Sequence, residues 1–129
     1  MIVVDASAVL EVLLQTPAAA LVSRRIFGHG ETLHAPHLLD VEVAQVLHRY
    51  VRTAVVSADR GAEALADLAD LPIERYPHFV FLPRIWQLRH NLTAYDAAYV
   101  VLAEALDAPL VTRDRALART SAKVRVEVL

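Results

Sequence analysis

Four acidic side chains, Asp5, Glu42, Asp96 and Asp114, stand where apolar segments of the chain meet a turn or the first turn of a helix. Like charges gathered in one place raise each other's pKa, and desolvation adds to the cost unless a cation offsets both. These residue types therefore point to one carboxylate cluster binding a divalent metal. Hard oxygen ligands select Mg²⁺ or Mn²⁺ over zinc. Such an ion activates a water and stabilises the charge that develops during in-line attack on a phosphodiester. Ser7 and Thr112, close to Asp5 and Asp114 in sequence, can orient ligands or waters from behind, or act as simple cap and strand-end hydrogen bonds.

Taken singly, each acid has a second explanation, because carboxylates favour helix N-termini through capping and the macrodipole. Asp5 can cap a first helix and Asp114 the segment that begins at Arg115, while Thr93-Ala94-Tyr95-Asp96 resembles a T-x-x-acid capping box. Glu42 is harder to explain that way. It lies three residues after Leu39 and four before Val46, which places it on the inward stripe of its own helix. Asp96 shares a face with Val100 and Ala103 in a helix that is apolar on most sides, so its carboxylate is expected to point inward. Buried acids need partners, and no lysine lies near either in sequence.

Several other chemistries are excluded. Gly28-His29-Gly30 is followed by Leu33 instead of a third glycine, so there is no dinucleotide fingerprint, and no GxxxxGK[ST] loop occurs. Asp5-Ala6-Ser7 lacks the second aspartate of a phosphatase loop, and Lys123 is badly placed for a phosphoreceiver. His34 and His37 flank Pro36, which disfavours a helical pair of ligands, and both read as structural or surface residues. Zero Cys removes disulfides, thiolate catalysis and cysteine zinc sites together.

The elements that must position the acids follow from patterning. The β-branched run Ile2–Val4 predicts a buried strand ending at Asp5, with a helix beginning near Ser7. Pro17 fits the first turn of a second helix over 17–27, stopped by Gly28 and Gly30, and 32–34 reads as a short strand. Leu39, Val43, Val46, Leu47 and Tyr50 form one helical stripe, and Ser57 caps a helix with Ala62, Leu65, Leu68 and Ala69 on one face. Ile73–Tyr76 reads as a strand, 83–90 as helical, Thr93 as the cap of a helix to about Leu106, and 109–112 as a strand leading to Asp114. Val124, Val126 and Val128 alternate with Arg125 and Glu127, as in a half-exposed edge strand. Short apolar strands alternating with helices predict an α/β fold with a parallel sheet covered on both faces. Ligands of such sheets bind beyond the carboxyl ends of the strands, where the strand order reverses, and Asp5 and Asp114 both lie at such ends.

At 129 residues, 56% of them hydrophobic, one domain over 1–129 with one core is expected. The apolar start carries Asp5 and Glu11 and lacks a basic stretch, so it does not read as a signal peptide. Residues 97–111 are too short and too charged for a membrane span, which predicts a cytoplasmic protein. A net charge of −2 argues against a strongly basic nucleic-acid binder. Setting the four acids aside leaves 13 basic against 11 acidic residues, enough for a local basic rim. Its charge would be almost all Arg, the better fork for phosphate, as Lys123 is the only lysine.

Together, Ile2-Val3-Val4-Asp5-Ala6-Ser7, Leu39-Asp40-Val41-Glu42, Thr93-Ala94-Tyr95-Asp96 and Pro109-Leu110-Val111-Thr112-Arg113-Asp114 resemble the successive motifs of PIN-domain ribonucleases, most closely the VapC-type toxins of bacterial toxin-antitoxin systems. The resemblance spans almost the whole chain in order. It implies a three-layer α/β/α sandwich with a central parallel sheet, and Mg²⁺- or Mn²⁺-dependent endoribonuclease activity as the toxin of a type II pair. It makes Asp5, Glu42, Asp96 and Asp114 the catalytic metal site, with Asp5 and Asp96 as primary ligands. It also implies tRNA or rRNA as substrate, a VapB-type antitoxin whose tail occupies or distorts the site, and a homodimer. Two residues depart from the pattern: Ala6 stands where the family often has Thr or Ser, and Gln45 where Asn is common. Arg113 and Arg115, flanking the last acid, are candidates to steer RNA phosphate, with plain solvation as the alternative. A PIN-like scaffold that binds RNA or protein without cleavage, and a housekeeping RNA-processing nuclease, are the competing readings.

Overall fold

The computed structural model describes residues 1–120 and 123–129. Five strands, β1 (Ile2–Val4), β2 (Leu33–Pro36), β3 (Ile73–Tyr76), β4 (Leu110–Thr112) and β5 (Val126–Val128), form one sheet in the order β3-β2-β1-β4-β5. Every pairing is parallel. β1 occupies the centre because all three of its residues are apolar and β-branched, and all three are buried. The chain moves outward from β1 to β2 and β3, then returns to the other side for β4 and β5. The strand order therefore reverses between β1 and β4, the position expected for a ligand site.

Among the described residues six α-helices cover the sheet. α1 (Ala6–Leu13), α2 (Ala19–Ile26), α3 (Leu38–Arg52) and α4 (Ala58–Asp70) pack together between the strands of one half. α5 (Leu82–Gln87) and α6 (Ala94–Leu106) make the crossover to β4, and right-handed crossovers in opposite directions put the two groups on opposite faces. The three-layer α/β arrangement expected from the sequence is thus present. α6 buries every residue from Ala97 to Ala103, as a helix apolar on all sides must. Among the described residues no helix is long and apolar enough to cross a membrane.

Caps and boundaries follow the local chemistry with small shifts. The Ser57 hydroxyl accepts from the Arg60 N–H at 3.0 Å, and Thr93 accepts from the Asp96 N–H at 3.1 Å. Pro17 lies in the turn before α2, which begins at Ala19 and ends at Ile26. The second strand runs from Leu33 to Pro36 rather than over 32–34. His34, one of its residues, is buried, with Tyr76 Oη 2.7 Å from its Nδ1 and Thr32 Oγ1 2.8 Å from its Nε2. β5 is an edge strand restricted to Val126–Val128, and Val124 packs on the core outside it. Arg25 forks onto Glu127 at 2.6 and 3.0 Å, joining α2 to that edge.

α4 differs more. The expected face of Ala62, Leu65, Leu68 and Ala69 is replaced by Gly61, Ala64 and Leu68, and Leu65 is exposed. Packing is close at Gly61: a Cβ there would stand 3.1 Å from Val51 Cγ2, so a larger residue would require the Val51 side chain to give by a few tenths of an ångström. On α3, Leu39 is 0% exposed and Val41, two residues on, is 68% exposed. Leu39→Ala is expected to cost about 2–5 kcal/mol in urea unfolding, whereas Val41→Ala stays within about 0.5 kcal/mol of the parent.

Candidate active site

Val4 ends the central strand, and the next residue turns the chain into α1. Asp5 has extended backbone angles (φ −100°, ψ 174°) and is the N-cap of α1. Its Oδ1 accepts from Ser7 Oγ at 2.6 Å and from the Ala8 N–H at 3.1 Å, and its Oδ2 accepts from the Thr112 hydroxyl. Thr112 is the buried last residue of β4, so this carboxylate joins the two strands flanking the reversal of strand order. Ser7 Oγ in turn accepts from the Arg113 N–H at 2.9 Å, and Thr112 Oγ1 from the Asp114 N–H at 2.9 Å. With Asp5 only 6% exposed, burial lifts its pKa, more than the bonds from Ser7, Thr112 and Ala8 lower it, and Asp114 lifts it further.

Glu42, in the second turn of α3, and Asp96, in the first turn of α6, approach from elements on opposite faces of the sheet. Both are half-buried. Burial raises the Glu42 carboxyl, the phenol of Tyr99 opposes that rise, and Asp96 and Asp5 reinforce it. The Tyr99 hydroxyl donates to Glu42 Oε1 at 2.5 Å. Burial, then Glu42, pushes this phenol far above its ordinary value, so it stays protonated and acts as the donor. Asp96 is raised by burial and by Asp114, against the Thr93 hydroxyl. Tyr99 is the residue in contact with the acids that the motifs passed over. Its signal was present: a tyrosine one turn after Asp96 in an all-apolar helix must find a partner for its hydroxyl.

Asp114 is exposed and caps the short 3-10 helix Arg115–Arg119, its Oδ1 accepting from the Ala116 N–H at 2.9 Å. The four acids influence one another in a closed ring: Asp5 with Glu42, Glu42 with Asp96, Asp96 with Asp114 and Asp114 with Asp5. Among the described residues none of the four is in an ion pair, and no three acidic or histidine side chains stand together closely enough to cage an ion. An open, all-oxygen set of this kind suits Mg²⁺ or Mn²⁺, because Mg²⁺ keeps several waters and takes one or two carboxylates.

The flanking arginines differ from each other. The Arg113 guanidinium is directed to Glu11 at 3.6 Å and to the Leu129 carbonyl oxygen, which engages it away from the phosphate-steering role considered above. Arg115 is exposed. Gln45 is also exposed, one turn beyond Glu42.

The raised carboxyls fix a sign for pH dependence. Groups whose folded pKa exceeds the unfolded value bind more protons when folded, so their favourable contribution is complete below the ordinary carboxylate range and is lost as pH rises through the raised values. Without divalent cation, Asp96→Asn is expected to melt a few degrees above the parent at pH 7 and to lose that advantage near pH 4, read by circular dichroism.

Comparison with known proteins identifies the family. The PIN domain family matches residues 2–123. Ribonuclease VapC12 of Mycobacterium tuberculosis is 44% identical over 120 residues, covering 93% of this chain and 92% of its own. Ribonuclease VapC1 of the same organism is 47% identical over 120 residues, covering 90% and 87%. In fold, the sarcin-ricin loop cleaving toxin VapC20 of M. tuberculosis superposes with a TM-score of 0.71 over 97% of this chain and 99% of that one, at 14% identity. With its carboxylate ring at the reversal of a parallel sheet, the chain belongs to the PIN-domain family, among the VapC ribonucleases.

Proposed function

We propose that this protein is a Mg²⁺- or Mn²⁺-dependent endoribonuclease, the toxin of a type II toxin-antitoxin pair, acting in the cytoplasm. The observation that carries the reading is the ring of four mutually repelling carboxylates with no side-chain cation among them, on a VapC-ribonuclease chain. Asp5 and Asp96 are the primary ligands, and Glu42 and Asp114 complete the site directly or through water. When bound, the ion supplies Lewis-acid activation of water and charge neutralisation at the phosphate. Ser7 and Thr112 hold the Asp5 carboxylate in one orientation, by the bonds described above. Glu42 and Asp114, beside the ion, also help to activate the attacking water. Arg115 is the remaining candidate to meet RNA phosphate.

The RNA is a structured tRNA or rRNA, and a VapB-type antitoxin covers the site until it is removed. Incubated free of antitoxin with labelled tRNA and rRNA fragments, the protein is expected to cut with Mn²⁺ or Mg²⁺, and both EDTA and Asp96→Asn abolish the cuts. A wild type that leaves every RNA intact and binds no metal would instead be a PIN-like scaffold.

The same reading includes a homodimer. Its support is a run of exposed apolar side chains, Phe79 (76% exposed), Val80, Leu82 and Trp86 (66%), across α5 and the 3-10 helix Phe79–Phe81 before it. Gel filtration with light scattering is expected to give twice the chain mass for the parent and the monomer mass for Phe79→Asp. A monomeric parent at micromolar concentration overturns the dimer.

A further inference from the structure

The three inward acids are not equally held. Asp5 has three donors, from Ser7, Ala8 and Thr112, and its short side chain leaves it little freedom. Glu42 has a longer, more rotatable side chain, is half-buried, and lies in the repulsive field of Asp5 and Asp96. Left alone, such a side chain would relax toward water and away from the other acids. Among the described residues, the hydrogen bond that opposes this is the one from Tyr99 Oη, at 2.5 Å to Oε1.

Tyr99 is well placed to impose a position. It is 2% exposed, and it sits in the stretch of α6 where every residue from Ala97 to Ala103 is buried, so neighbouring atoms fix the direction of the phenol. It also follows Asp96 by three residues, one turn along the same helix face. One rigid helix therefore carries both a candidate ligand and the tether for a second acid, which belongs to another helix on the other face of the sheet. The separation of Glu42 from Asp96 is then set by one turn of α6, not by the packing of α3 alone.

Resting on the metal-dependent reading above, we propose that Tyr99 is a positioning residue: its hydroxyl holds Glu42 Oε1 and leaves Oε2 as the oxygen available to the cation or its water. The role belongs to the hydroxyl and passes through Glu42. A packing role would belong to the ring.

The test is Mn²⁺ titration calorimetry on the full chain, comparing wild type, Tyr99→Phe, Glu42→Ala and the double variant, with unfolding temperatures measured on the same samples. Tyr99→Phe is expected to weaken Mn²⁺ about 10-fold, with the ring still in place and the fold intact. In the Glu42→Ala background the same change is expected to add nothing, since the two act as one unit. In RNA cleavage, the Phe variant regains rate as Mg²⁺ is raised. Glu42→Asp, whose carboxylate is one methylene too short for the phenol, is a second route and is expected to lose Mn²⁺ affinity as Tyr99→Phe does, should the Phe variant fail to fold. Unchanged Mn²⁺ affinity in Tyr99→Phe, or an equal loss with and without Glu42, overturns the proposal while leaving the nuclease reading intact. A wild type that binds no Mn²⁺ overturns the metal-dependent reading itself.

Discussion

The Asp5 carboxylate is the interaction on which the rest of the site depends. It is one of few buried polar groups in a core of aliphatic side chains, and its donors come from α1 and from the end of β4. β1 and β4 are neighbours through the reversal of strand order, and this one side chain ties together two segments 107 residues apart. Ser7 and Thr112 extend the same network to the backbone N–H groups of Arg113 and Asp114. The loop carrying the fourth acid is thereby built out from the first. Capping and clustering, which compete as explanations in the sequence, are one arrangement: Asp5 caps α1 with the same oxygen that Ser7 holds.

Much of this was legible in the sequence, for physical reasons that differ by residue. Ile2–Val4 reads as a buried strand because all three residues are apolar and β-branched, and Thr93 and Ser57 announce helix starts through chemistry confined to four residues. Glu42 was informative because it breaks the pattern of its own helix. What stayed hidden depends on contacts between distant segments. α4 turns Gly61 toward Val51 of α3, a contact that no periodicity within α4 encodes. Arg113 looks like a phosphate contact beside Asp114, yet Glu11 and the Leu129 carbonyl draw its guanidinium away. Tyr99 reads as one more core aromatic until Glu42, 57 residues earlier, is found at its hydroxyl.

A parallel sheet also explains how the fold tolerates this concentration of negative charge. α1 and α3 each follow a strand and α6 leads directly into β4, so all three begin at the sheet's carboxyl end and the positive ends of their macrodipoles face the region of the acids. Asp5 caps α1, and Asp96 lies in the first turn of α6, where a carboxylate gains most from that field. The remaining misfit is recorded in the raised pKa of Asp5, Glu42 and Asp96, each with burial as its first cause. Partial charges of helix ends moderate the repulsion without removing it.

The placement of the basic residues completes the logic. Arg25, Arg75, Arg84 and Arg113 are each paired with a carboxylate elsewhere in the fold, where they join α2 to β5, β3 to α3, α5 to α6 and the loop after β4 to α1. An arginine folded into the acidic ring would stabilise the ion-free protein, but it would compete with a divalent cation for the same oxygens. With cations held at the seams between elements, the ring keeps its negative field for a ligand that arrives from solution. Stability forgone at Asp5, Glu42 and Asp96 is the physical condition for binding there.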